Sequence, residues 1–155
     1  MHWMLLPLKR YAEFSGRSSR QEFWMFFLFQ LLLCCAWLVM AVVAVGSIGA
    51  IGGAAEGATA PVAAIVIGGL FLLFVLATIL PNAAVIVRRC HDQDISGWVG
   101  GILYVLTVLT NLVMPILNIF GLALLILMAL PGKPGANRYG PDPLLGEDAI
   151  ADTFR

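Results

Sequence analysis

The chain has 155 residues, nine Lys and Arg against nine Asp and Glu, and no net formal charge; 61% of it is hydrophobic and 12% charged, with a mean hydropathy of +0.94. Soluble domains are roughly half apolar and a quarter charged, and a chain this short cannot bury such an apolar excess in water. The figures exclude an ordinary water-soluble domain, and basic residues confined to Lys9–Arg20, Arg88–Arg89 and Lys133–Arg155 exclude the broad basic face of a nucleic-acid binder.

The first fifteen residues set Trp3, Leu5, Leu6, Leu8, Tyr11 and Phe14 among Lys9, Arg10 and Glu13. Pro7 suits the first position of a helix, Leu8, Tyr11 and Ala12 then share a face, and Gly16 can stop it. This predicts an amphipathic helix over 7–15 lying in the membrane interface, with Trp3 and Tyr11 at headgroup depth. Ser19 and Glu22 have the spacing of a capping box, and the acid suits a helix N-terminus. They open an apolar run, Phe23–Val45, with Trp24 at its interfacial start. That run makes a helix of roughly 34 Å, against a hydrocarbon core of about 30 Å. It is too long and too late in the chain for a signal-peptide core, and reads as a retained anchor. Gln30, its strongly polar side chain, is expected to hydrogen-bond to another helix, worth on the order of 1 kcal/mol.

Residues 46–61 are rich in Gly and Ala with Glu56 as the one charge, which predicts a flexible outside loop. A second span follows over 62–87. Pro81 is expected to break or kink it, with Asn82 re-satisfying a freed backbone group; Gly68–Gly69 would admit a neighbouring helix. Residues 98–130 would form a helix of about 50 Å if continuous. Asn111, Pro115 and Asn118 interrupt them. Positive charge prefers the cytoplasmic side, and Lys133 and Arg138 can share a side with the earlier clusters after an even number of crossings. Two short helices are therefore expected, 98–113 and 116–130, turning near Pro115; a single kinked span with an external tail is the alternative. Residues 1–143 then make one helical membrane domain, and 144–155 a mobile acidic tail.

Three motifs fall in order along this plan: FSGRSSRQEFW (14–24), LPNAAVIVRRCHDQDISGW (80–98) and LPGKPGANRYGPDP (130–143). Together they resemble the bacterial inner-membrane family catalogued as domain of unknown function 805. The resemblance implies a compact helical membrane domain and no particular activity. Asp94 and Ile95 depart from the small or basic residues usual before SGW, and Cys90 from an aliphatic; the loop here is less basic than the family pattern.

The polar cluster around Arg88–Asp94 admits three readings. A metal centre needs three or four converging ligands, and Cys90, His91, Asp92 and Asp94 sit too close in sequence to converge from one helix. Nucleophilic catalysis needs a thiol held against a base, and neighbouring Cys90 and His91 diverge on a helix; acid–base work by His91 with Asp92 is the remaining catalytic option. The structural reading gathers Arg17, Arg20, Glu22, Arg88, Arg89, His91, Asp92, Asn137, Arg138 and Asp142 into one cytoplasmic polar cap or headgroup site. Arg88 pairs with Asp92 four residues on, Asp142 offers a further carboxylate, and Ser96 or Asp94 caps the next helix. Trp98 and Tyr139 join Trp3, Tyr11 and Trp24 as interfacial aromatics.

The expected fold is thus an all-α membrane protein: an interfacial helix, two long transmembrane helices and a C-terminal pair of short ones. The expected role is structural, interactive or lipid-contacting, in the bacterial inner membrane with the N-terminus cytoplasmic. No catalytic, metal or cofactor signature is present. The partners expected are membrane lipids, anionic headgroups among them, other membrane proteins or a second copy, and no nucleic acid. A passive transporter or channel subunit is the alternative: Gln30, Asn82, Asn111 and Asn118 are the intramembrane polar residues, and the spans carry no ionisable one, which argues against a proton-coupled pump. A lipid-headgroup enzyme would need acid-rich metal motifs that the tail acids do not supply.

Overall fold

A computed structural model of the chain describes residues 2–50, 56–113 and 118–144. These are helical: α1 His2–Lys9, α2 Arg20–Ala50, α3 Glu56–Asp92, α4 Gly97–Val113 and α5 Ile119–Ala129. A strap of turns over 130–144 follows, closed by an isolated bridge between Asn137 and Gly140. The chain divides into two compact units, Met1–Phe26 with Leu80–Arg155, and Phe27–Ile79.

The second unit is made of the inner arms of α2 and α3. Its apolar side chains point outward; Ile65 is 73% exposed and Leu38 65%. In the apolar 18-residue stretches within Arg20–Ala44 and Val62–Asp92, 6% and 0% of the residues are buried, where a core helix of a soluble protein would be mostly buried. At 1.5 Å per residue the two segments measure about 38 Å and 47 Å, enough to cross about 30 Å of hydrocarbon. Trp37 on α2 stacks against Phe71 on α3, centroids 6.1 Å apart.

Both helices outrun their expected ends. The predicted loop over 46–61 is helical over 46–50 and 56–61, and 51–55 lie outside the described residues. A mid-helix glycine costs about 1 kcal/mol relative to Ala, less than the several kcal/mol of an unpaired peptide group in hydrocarbon. Pro81 does not end α3, which continues to Asp92; its ring is fully buried, and Asn82 hydrogen-bonds to Tyr104 of α4. Gln30 Nε2 is enclosed and has no hydrogen-bond partner among the described residues.

The first unit holds the core: Phe23, Phe26, Ala84, Val85, Ile86, Cys90, Leu124 and Met128 are buried. Helix α1 covers His2–Lys9, not 7–15, and carries Pro7 inside it. The fully buried Pro7 ring packs well enough to offset the one helical hydrogen bond its missing N–H costs. Tyr11 and Phe14 then lie in the loop that ends at Gly16, in the left-handed region at φ +80. The side chain of Trp3 lies outside the described residues.

Helix α4 meets the last turns of α3 through glycine. A Cβ on Gly97 would stand 2.6 Å from Val87 Cγ1, and one on Gly100 2.6 Å from Cys90 Sγ. Asn118 caps α5, accepting from the Gly121 amide at 2.7 Å, and donates to the Thr107 carbonyl of α4 at 3.2 Å. At the other end of α5, Gln93 Nε2 donates to Leu127 O at 2.6 Å and Arg89 Nε to Met128 O at 3.3 Å. Helix α5 therefore starts beside the middle of α4 and returns to the end of α3. At about 17 Å it is too short to cross the hydrocarbon. The single kinked span is overturned, because it would carry residues 131–140 away from Asp92. The expected turn at Pro115 lies outside the described residues.

Candidate functional site

The centre of the first unit is a set of buried charges. Asp92, on the last turn of α3, accepts from Arg17 through Nε at 3.0 Å and Nη2 at 2.8 Å. Its other oxygen takes Nη1 of Arg89, one turn back. The side chains of Arg17 and Arg89 are 2% and 0% exposed. Two charges taken out of water are tolerated only with good geometry and further hydrogen bonds, and both arginines have them. Arg17 Nη2 donates to Lys133 O at 2.6 Å and Nη1 to Gly135 O at 2.5 Å. Arg89 reaches the carbonyls of Met128 and Leu130, which are orphan acceptors at the end of α5. One carboxylate thus ties together the loop before α2, the end of α3, the end of α5 and the strap.

A second ion pair lies beside it. Arg88 Nη2 stands 3.2 Å from Glu22 Oε1, both side chains fully enclosed. Ser18 donates to the other Glu22 oxygen at 2.6 Å, the Glu22 amide donates to Ser19 Oγ at 3.2 Å, and the Ser18 amide to Arg88 O at 3.2 Å. Half of the expected capping box is therefore formed; the Glu22 carboxylate turns to Ser18 and Arg88. Arg88 Nη1 has no hydrogen-bond partner among the described residues.

The strap closes over these charges. The Lys133 amide donates to Asp92 O at 2.8 Å, and Asn137 Nδ2 to His91 O at 2.8 Å. The Tyr139 ring stacks on His91 with centroids 3.9 Å apart, and the Arg138 guanidinium carbon lies over the Tyr139 ring, 4.8 Å from its centroid. His91 Nδ1 lies 3.1 Å from Gly16 O. Gly135 and Gly140 take φ of +78 and +138, which glycine allows without strain. At Gly132 any Cβ would run into the Asp92 carboxylate.

Asp94 holds the strap from outside. It is in the left-handed region at φ 61 and pairs with Lys133 Nζ at 2.8 Å and Arg138 Nε at 3.2 Å. The hydrogen bond from Lys133, helped by the charges of Lys133, Arg138 and Arg17, holds its carboxyl below the usual carboxylate range. Asp142 accepts from the amides of Leu144 at 2.9 Å and Gly135 at 3.0 Å; these bonds, Leu144 first, hold its carboxyl low as well.

The predicted site residues thus meet, in pairings the sequence did not give. Arg88 pairs with Glu22 and not with Asp92, because positions three apart bring Arg89 to Asp92 and turn Arg88 toward α2. Asp142 serves the strap's own amides and forms no ion pair with an arginine among the described residues. Asp94 clamps Lys133 and Arg138 and does not cap α4. Arg20 is exposed and has no ion-pair partner among the described residues. Tyr139 is a stacking partner of His91, while Trp98 is 80% exposed and Trp24 and Tyr11 about 40%, as interfacial aromatics require. Asn111 is exposed on the last turn of α4. Ser18, Gln93, Gly132 and Lys133 are absent from the expected site; their places inside the three motifs at 14–24, 80–98 and 130–143 are the signal that could have found them. Among the described residues, no three of the His, Cys, Asp and Glu side chains are placed to share a metal ion.

The pattern of the family described as "protein of unknown function (DUF805)" matches residues 11–141. The chain belongs to this family. That stretch contains every residue of the DUF805 ion-pair network just described. The chain is also similar to two proteins of Escherichia coli strain K12. It is 34% identical to inner membrane protein YhaI over 152 residues, covering 96% of this chain and 100% of the relative. It is 30% identical to inner membrane protein YhaH over 145 residues, covering 94% and 98%. No solved structure matches. Nothing in the DUF805 description or in these names specifies an activity.

Proposed function

We propose that this DUF805 protein is a multi-pass protein of the bacterial inner membrane, with its N-terminus and strap in the cytoplasm, acting without catalysis. Its polar cap clamps the ends of the membrane helices and offers a basic face to anionic lipid headgroups. The observation that carries this reading is the commitment of the buried charges: Asp92 to Arg17 and Arg89, and Glu22 to Arg88 and Ser18. Acids and bases so engaged are poorly placed for proton transfer, and they are well placed to fix four chain segments. The names of the two relatives support the compartment, and two apolar helices of sufficient length support membrane spanning. The clustering of Arg17, Arg20, Arg88, Arg89, Lys133 and Arg138 supports the cytoplasmic side for the cap.

A topology experiment tests it. Arg138→Cys and Lys9→Cys variants are treated with a membrane-impermeant thiol reagent in intact spheroplasts and in inverted vesicles, against the parent chain as background. Both new thiols are expected to react in inverted vesicles only. Reaction of Cys at 138 in spheroplasts would place the strap outside and overturn the reading.

A further inference from the structure

We propose that a cavity between the start of α2 and the strap binds a phosphate mono- or diester, the anionic group that phospholipid headgroups and small phosphorylated metabolites share. The cavity has a volume of about 310 Å³ and is walled by the start of α2, the hub around Asp92 and the strap from Pro131 to Leu144. That is the lower end of the range of about 300–1,000 Å³ for small-ligand sites, room for a phosphate with a short polar substituent. Four cations line it, Arg17, Arg20, Arg89 and Lys133, against two carboxylates, Asp92 and Asp142. Asp92 already serves Arg17 and Arg89 together, and both Asp142 oxygens accept from strap amides.

Arg20 is left unmatched among the described residues and close enough to Arg89 for the two charges to oppose each other. Lys133 has Asp94 as its carboxylate partner, but at an exposed site where such a pair is weak. Among the described residues the cavity therefore holds more positive than negative charge. An anion between Arg20 and Lys133 would supply the missing charge, and Arg is suited to phosphate oxygens through paired donors. The inference rests on the lipid-contact part of the proposed function and gives it an address.

The test uses the full chain in non-ionic detergent, titrated separately with short-chain phosphatidylglycerol, short-chain diacylglycerol, which has no phosphate, and glycerol phosphate, with binding read by calorimetry. Phosphatidylglycerol is expected to bind, to weaken as salt rises, and to lose at least tenfold in affinity in the Arg20→Gln/Lys133→Gln variant. Both substituted side chains are exposed, and unchanged thermal unfolding of the variant shows that it folds. Binding of phosphatidylglycerol without glycerol phosphate identifies a lipid source, and equal binding of both identifies a soluble one. Affinity no better than for diacylglycerol, or unchanged in the variant, overturns the site. The spheroplast labelling is independent of this result, so an outward-facing strap with phosphatidylglycerol binding intact would refute the topology and spare the site.

Discussion

Asp92→Asn removes the charge at the centre of the cap and keeps its shape. Breaking a buried ion pair from one side costs about 3–5 kcal/mol, because the partner charge stays buried. Here two partners are exposed to that loss, but neither is abandoned. Arg17 keeps the carbonyls of Lys133 and Gly135, and Arg89 keeps those of Met128 and Leu130. The asparagine oxygen can still accept one bond. The expected cost is therefore at the lower end, about 3 kcal/mol, or roughly a hundredfold in the unfolding equilibrium. Reversible unfolding in mixed micelles, followed by tryptophan fluorescence, measures it. Trypsin cleavage after Lys133 and Arg138 should accelerate together with the fall in stability, since the strap is held by the same residues. Asp94→Asn is the control: its partners Lys133 and Arg138 have side chains 55% and 62% exposed, and the midpoint should move far less than in Asp92→Asn. An Asp92→Asn protein within 1 kcal/mol of the parent would refute the hub as the source of the cap's stability.

Replacing Glu22 and Arg88 together with Leu and Met should be near neutral in the same unfolding assay, whereas Glu22→Leu alone should cost about 3–5 kcal/mol by stranding a buried guanidinium. Gly132→Ala puts a methyl into the Asp92 carboxylate, and Gly100→Ala puts one 2.6 Å from Cys90 Sγ and 2.9 Å from Ile86 Cγ2; each should destabilise by about 1–3 kcal/mol through overpacking. The strap should also loosen in acid. Asp94 and Asp142 have folded-state values held below their unfolded ones, so their contribution is complete above about pH 4 and is lost as pH falls through the lowered values. Hydrogen exchange over 131–144 should be constant from neutrality to about pH 5 after correction for intrinsic rates, and rise below about pH 4. A rise near pH 6 instead would point to a histidine.

Much of the framework was legible because it depends on composition and period. Outward apolar runs need hydrocarbon whatever their partners are, so the two long helices and the shorter pair follow from the sequence, with errors at the ends. The ends differ for one reason: Gly and Pro break helices in water, whereas peptide groups in lipid keep their helical bonds. The N-terminal helix was misplaced because Pro7 was read as a start signal when its ring is a packed side chain.

The sequence by itself determined that bilayer lipid surrounds this chain and that its charges collect in a few short stretches, since both are sums over residue types. The tertiary structure alone decided the pairing: Arg89 and not Arg88 with Asp92, Arg88 with Glu22, Tyr139 on His91, and Arg20 with no carboxylate among the described residues. Ion pairs, stacking and hydrogen bonds act over a few ångströms between residues as much as 123 positions apart, as Arg17 and Gly140 are. Which side chains come that close is set by how α5 turns back onto α3, and no local pattern encodes that return.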